Sequence, residues 1–334
     1  MPTSSNWPVV RVLTAFVACL LLAVPALAQS CKEAGEMDPA TRAAIEGTAR
    51  NFQQMSARGD IAGLRAASIP SVADSFAGIE QAVRDNQQGL NGPATIRKTY
   101  LLEQPTSAPG GRAEFFCGVF GANGNTATSA GFVLPNLPPG RYALAIMDIS
   151  GAKPYALSVV LQEMSGTWKL AGYYAKPAQI AGHDADWYAQ KAREFKQKGQ
   201  LRNAWFYFWQ ARDMAAPVPF MSTLKLDKLY EEAEQVRPSD MPIDAPVNAD
   251  LGGRSFKLIA AFPVVVSDQL DLVVKYQSQD ISNTAQTFQD NTGLMRALVN
   301  KYPELREGFN AIVVRAVAPN GEDYGTLLAM KDIK

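Results

Sequence analysis

Apolar positions recur in two rhythms along the chain, and the changes of rhythm mark out its elements. Over 38–58, Ala44, Ile45, Thr48, Phe52 and Met55 recur at spacings of three and four, the repeat of a helix with one apolar face. Arg58-Gly59-Asp60 ends that helix and starts a shorter one, and Ile79 and Val83 mark another over 78–88. From Thr95 the period falls to two. Strands are predicted near 95–103, 112–120, 129–134, 141–149, 155–163 and 167–175, separated by Gly, Pro and Asn clusters, with Ser165-Gly166 turning the last hairpin. Helices followed by an antiparallel meander predict an α+β unit over 38–177, helices lying across a curved sheet.

The helical period returns at 184–214. Asp184 is placed to cap a first helix, and Tyr188, Ala192 and Phe195 share one face of it. Gly199 supplies the turn, Ala204, Phe208 and Ala211 repeat the spacing on a second helix, and Pro217 forbids its continuation. Phe208 is expected to face Phe195 within this hairpin. The second helix carries Trp-Phe-Tyr-Phe-Trp at 205–209, and five successive positions turn through more than one revolution. Such a helix is expected to be buried all round as core, or to line an aromatic groove for a peptide or sugar.

Residues 184–217 resemble a single tetratricopeptide unit. Tyr188, Ala192, Phe195, Gly199, Ala204, Phe208 and Ala211 fill the aromatic, small and glycine places of that 34-residue motif, whereas Lys191 stands at its leucine place and Pro217 arrives one residue late. No second copy follows, so the resemblance implies one helical hairpin rather than a solenoid. Residues 157–174, Leu-Ser-Val-Val-Leu-Gln-Glu-Met-Ser-Gly-Thr-Trp-Lys-Leu-Ala-Gly-Tyr-Tyr, are similar to the last hairpin of nuclear-transport-factor-2-like cone domains. That resemblance implies a pocket between helices and sheet across 38–177. A rival resemblance lies in Leu137-Pro138-Pro139-Gly140-Arg141-Tyr142, similar to the turn-to-strand signature of carboxypeptidase-regulatory-like β-sandwiches; the preceding helices favour the cone.

Beyond the hairpin, Leu224 to Val236 predicts one more helix, so that 178–237 forms a hairpin-plus-helix unit. Pro238, Pro242 and Pro246 mark 238–250 as a linker to a small domain over 251–334. There Phe256–Val266 and Leu270–Tyr276 read as strands. A helix over 282–301 turns Ala285, Phe288, Met295, Leu298 and Val299 inward, and Ala311–Val317 and Tyr324–Met330 make a hairpin, giving the order ββαββ.

Composition narrows the function. The 32 basic and 32 acidic residues balance, and no basic run is interleaved with aromatics, which argues against a nucleic-acid partner. Arg11, an apolar run from Val12 to Val24, Pro25 and Ala26-Leu27-Ala28 have the layout of a secretory signal peptide over 1–28, with cleavage after Ala28 and no membrane-spanning segment afterwards. The expected location is therefore outside the cytoplasm, in a periplasm or at a cell surface. Cys31 and Cys117 remain after cleavage, either as a disulfide or as a buried Cys117 beside a free Cys31.

Candidate chemistry is sparse. The single histidine, His183, excludes paired-histidine metal motifs, and the acids of His183-Asp184-x-Asp186 read as helix-start residues rather than metal ligands. Ser129, Asp148 and His183 stand in the chain order of a hydrolase triad, but a strand follows Ser129 where the nucleophile elbow needs a helix. No catalytic set, metal site or cofactor is predicted. His183, Asp148, Trp187, Trp205 and Trp209 are the candidate binding residues. The expected function is that of an exported, non-catalytic binding or scaffold protein with a protein, peptide or glycan partner. The alternative is a small-molecule binder or pocket enzyme built on the cone-like unit.

Overall fold

The computed structural model describes residues 29–122 and 124–334, so the leader expected over 1–28 lies outside the described residues. The fold class is α+β. Strand β1 (Ser30–Glu33) is followed by helices α1 (Pro39–Arg58), α2 (Ile61–Ala66), α3 (Pro70–Asp74) and α4 (Ala77–Asn86). Asp38 caps α1 by accepting the Thr41 N–H at 2.8 Å. Gly59, at φ 69°, closes α1, and Asp60 opens α2 by accepting the Gly63 N–H, so the whole Arg-Gly-Asp tripeptide is used in a helix–helix turn.

Strands β2 (Ala94–Gln104), β3 (Arg112–Cys117), β4 (Ala130–Pro135), β5 (Gly140–Ile149), β6 (Tyr155–Met164) and β7 (Thr167–Pro177) follow. They do not form one meander. The sheet runs β1-β2-β5-β6-β7, all antiparallel, and β3 and β4 leave it to form a second sheet. The reason lies in β5, where Tyr142 through Met147 are buried without a break, so both faces of the strand need cover. Ala143, Ala145 and Met147 pack on Ile45, Phe52 and Leu64 of the helices. Tyr142, Leu144 and Ile146 pack on Phe115 and Phe132 of β3 and β4. The layer between helices and sheet is thus filled by side chains. A disulfide joins Cys31 of β1 to Cys117 of β3, with Cα atoms 5.1 Å apart.

The hairpin comprises α5 (Ala185–Gln197) and α6 (Leu201–Ala215), joined through Gly199 at φ 74°. Asp184 caps α5, accepting the Trp187 N–H at 2.9 Å. A two-residue strand β8 (Met221–Ser222), which pairs with β4, leads into α7 (Leu224–Glu234). Trp205, Phe206, Tyr207 and Phe208 are all buried, because α5, α7 and the C-terminal sheet surround α6. Two details differ from expectation. Trp209 is 41% exposed, stacked on Trp205 at 5.3 Å, so the helix is not buried all round. The ring that meets Phe195 edge-on is Tyr207, at 4.9 Å, and its hydroxyl donates to the Gly308 carbonyl at 2.6 Å.

The C-terminal part adds β9 (Val247–Leu251), β10 (Arg254–Val266), β11 (Gln269–Gln277), α8 (Thr284–Lys301), α9 (Leu305–Gly308), β12 (Ala311–Val317) and β13 (Asp323–Ala329). The sheet order is β13-β12-β11-β10-β9, antiparallel except for the β11–β12 pair, whose parallel crossover is supplied by α8. Residues 241–243 pack against the core, whereas 244–246 are exposed. Met241 is buried in the core shared by the hairpin and this sheet. Asp240 accepts hydrogen bonds from Arg202 and, at 3.1 Å, from the Tyr302 hydroxyl. β9 extends the expected ββαββ order by one strand. On α8 the inward face carries Asn291 between Leu294 and Thr287, and Phe288 is exposed. Asn291 is tolerated there because its amide donates to the carbonyls of Val314 and Tyr324 and to Thr326 Oγ1.

Candidate functional site

A cleft of about 600 Å³ lies where the outer face of the first sheet meets α5, α7 and the β3–β4 loop. Its floor is apolar: Tyr100, Ile146, Ala189, Met221 and Leu229 contribute to it. Burial pushes the Tyr100 phenol up to about 12, so it stays a neutral wall group at physiological pH.

The rim is charged, and local geometry explains how each charge reaches it. Arg97 and Lys98 are neighbours in β2 and would point to opposite faces of a regular strand. The register against β5 slips between Ile96 and Lys98, and this bulge lets both line the cleft. On α5, Asp186, Ala189 and Arg193 recur at three and four, so one helical face carries all three. On α7, Lys225, Lys228, Leu229 and Glu232 do the same. The loop side is fixed by a polar network in which Asn125 Nδ2 donates to Ser222 Oγ (2.6 Å) and Asp227 Oδ2 (2.7 Å), while Ser129 Oγ donates to Asn125 Oδ1 (3.0 Å).

Several of these charges are already engaged. Arg193 forks onto Glu232 at 2.8 and 3.0 Å, and Lys225 lies 2.6 Å from Asp186. Arg97 is 3.5 Å from Asp148, and Lys98 is 3.7 Å from Glu33. Lys228 makes no ion pair among the described residues.

The residues singled out from sequence are scattered. Asp148 stands beside the cleft as the partner of Arg97. His183 stacks flat on Trp187 at 3.7 Å, and neither lines the cleft. Trp205 and Trp209 stack on each other along α6. No hydrogen bond among the described residues links Ser129, Asp148 and His183; Ser129 is engaged by Asn125 and Thr126. Asp184 caps α5 and Asp186 faces Lys225, and no set of three or more His, Cys, Asp or Glu side chains among the described residues is placed to hold a metal ion.

The cleft cations were not anticipated. Lys225, Lys228 and Glu232 at helical spacing were a legible signal for a charged face on α7. Nothing in Arg97-Lys98 announces a bulge. No family model matches the chain, and neither a curated protein nor a solved structure matches it.

Proposed function

We propose that this chain is an exported, non-catalytic binding protein whose ligand occupies the cleft between the first sheet and the helical hairpin. The observation that carries this reading is the make-up of the cleft: an apolar floor of ligand-sized volume, ringed by charges that are mostly engaged with one another. General acid–base or nucleophilic work needs a base within reach of a reacting group. The histidine lies on Trp187 instead, and Ser129 is engaged in the loop network. A pocket enzyme inside the cone draws no support from an interior filled by Phe52 and Leu170.

A thermal-shift screen of small molecules tests the reading. Hits should raise the melting temperature of the parent protein and not that of Thr128→Trp, which places a bulky ring at an exposed rim position. Hits that stabilise both proteins equally bind elsewhere and defeat the proposal, as would turnover of any hit. Export is checked separately, by N-terminal sequencing of protein recovered outside the cytoplasm, which should begin at Gln29.

A further inference from the structure

The cleft has a charge sign that the chain as a whole does not. Basic and acidic residues balance at 32 each over the sequence, yet the cleft lining holds five basic side chains against two acidic ones. The two acids, Asp186 and Glu232, are each occupied by a cation of the same rim. Arg97 and Lys98 reach carboxylates only at 3.5 and 3.7 Å, beyond good hydrogen-bond distance, and Lys228 makes no ion pair among the described residues. Lys228 is therefore open to a ligand, and Arg97 and Lys98 are held only by long ion pairs to Asp148 and Glu33 that a closer anion can compete with. A recess lined by one sign of charge with low-dielectric walls concentrates ions of the opposite sign.

We infer that the cleft takes a small amphiphilic anion, a carboxylate or phosphate monoester head carrying an apolar body. The head would lie among Arg97, Lys98 and Lys228, and the body against Tyr100, Ile146 and Leu229. This rests on the cleft being the binding site, and it adds the class of ligand. The bulge at Arg97 has a role in this arrangement: without it, one of two adjacent cations would face away from the cleft. Lys225 and Arg193 keep their carboxylates and hold the α5 and α7 walls in register.

The test is calorimetric titration of the chain from Gln29 onward with octyl phosphate, octanoate, 1-octanol and octyltrimethylammonium. The two anions should bind, the alcohol and the cation should not, and raising salt from about 50 to about 500 mM should weaken the anions. Lys228→Gln combined with Arg97→Gln should weaken octyl phosphate by about tenfold or more. Both side chains are exposed, so the melting temperature without ligand should stay near that of the parent. Equal binding of 1-octanol, binding unaffected by the double variant, or no binding by either anion would overturn the inference. Binding to phosphatidylglycerol vesicles without binding of monomeric octyl phosphate would also overturn it, since it moves the anion to a bilayer surface. A neutral hit lost in Thr128→Trp would leave the binding site standing and remove only the anion.

Discussion

The two five-stranded sheets differ in how many faces they bury. In the first, β5 is buried at six successive positions from Tyr142 to Met147, with helices on one side and β3–β4 on the other. In the second, β12 alternates: Ile312, Val314 and Ala316 are buried, whereas Val313, Arg315 and Val317 are half-exposed. The inner face rests on α8 and the hairpin. The outer face presents a register row of Phe262, Val273, Val313 and Leu327, with Phe262 38% and Leu327 49% exposed at its ends. The central strand β11 is nonetheless buried at five successive positions from Leu270 to Val274, so the one-sided cover shows at the flanking strand β12 and not along every strand of that sheet. The cleft forms on the doubly covered sheet, where the second cover stops short and α5 and α7 take over.

The largest effect that distinguishes the sheets is expected from their outer faces. Phe132→Ala removes a ring only 1% exposed from under the β3–β4 cover and should cost about 3–5 kcal/mol. Leu327→Ala on the outer face of the other sheet should stay within about 0.5 kcal/mol of the parent. Urea unfolding of the two variants measures both. Similar losses would mean that the second sheet's outer face is covered in solution, and the contrast would fail.

The contrast was only partly legible beforehand. The elements themselves were readable because their periods were clean: α1, the six strands from β2 to β7, the α5–α6 hairpin and the β12–β13 hairpin fall where spacing places them. Which strands pair was not, because a meander and a meander with two strands folded out share one local pattern. The continuous apolar run in β5 was the available sign. In residues 238–250 the prolines marked a linker; 244–246 are exposed, while Met241 and β9 add to the core, because proline disfavours regular structure without preventing burial. At the cleft, α5 and α7 contribute by a helical spacing that can be read, whereas Arg97 enters through a bulge that has no local sequence mark. Trp209 was expected inside because its neighbours were aromatic; composition alone does not reveal that one side of α6 is left open.

A smaller effect concerns the tie between the first sheet and its second cover. Cys31 and Cys117 close a loop of 86 residues between β1 and β3. Constraining the unfolded chain in this way stabilises by about 2–4 kcal/mol in typical cases. The double variant Cys31→Ala, Cys117→Ala should unfold at lower urea by a corresponding amount, and the parent in reductant should match it. If protein with free thiols, confirmed by mass spectrometry, unfolds at the parent's midpoint, β3–β4 are held by Phe115 and Phe132 alone.

The subtlest distinction lies within the second sheet, in two aspartates whose titration should affect stability with opposite signs. Asp271, on β11 two residues before Val273, is buried, and burial raises its carboxyl above the ordinary value of 3.8 despite hydrogen bonds from Asn310 and the Ala311 N–H. Between 3.8 and that higher value the folded chain holds a proton the unfolded chain has released, so stability falls as pH rises through the window, and the cost remains at neutral pH. Asp323, on β13, is held below 3.8 by its hydrogen bonds and ion pair with Arg315. Its contribution is present above 3.8 and is lost as pH falls through its folded value. Asp271→Asn should therefore melt above the parent at pH 7, with the gain vanishing near pH 3. Asp323→Asn should melt below the parent at pH 7, with the deficit shrinking on acidification. Melting curves at the two pH values decide the matter. If Asp271→Asn is destabilising at pH 7, the buried carboxylate is held ionised by partners stronger than Asn310 and Ala311. The outer face at β11 would then be more polar than the apolar row beside it implies.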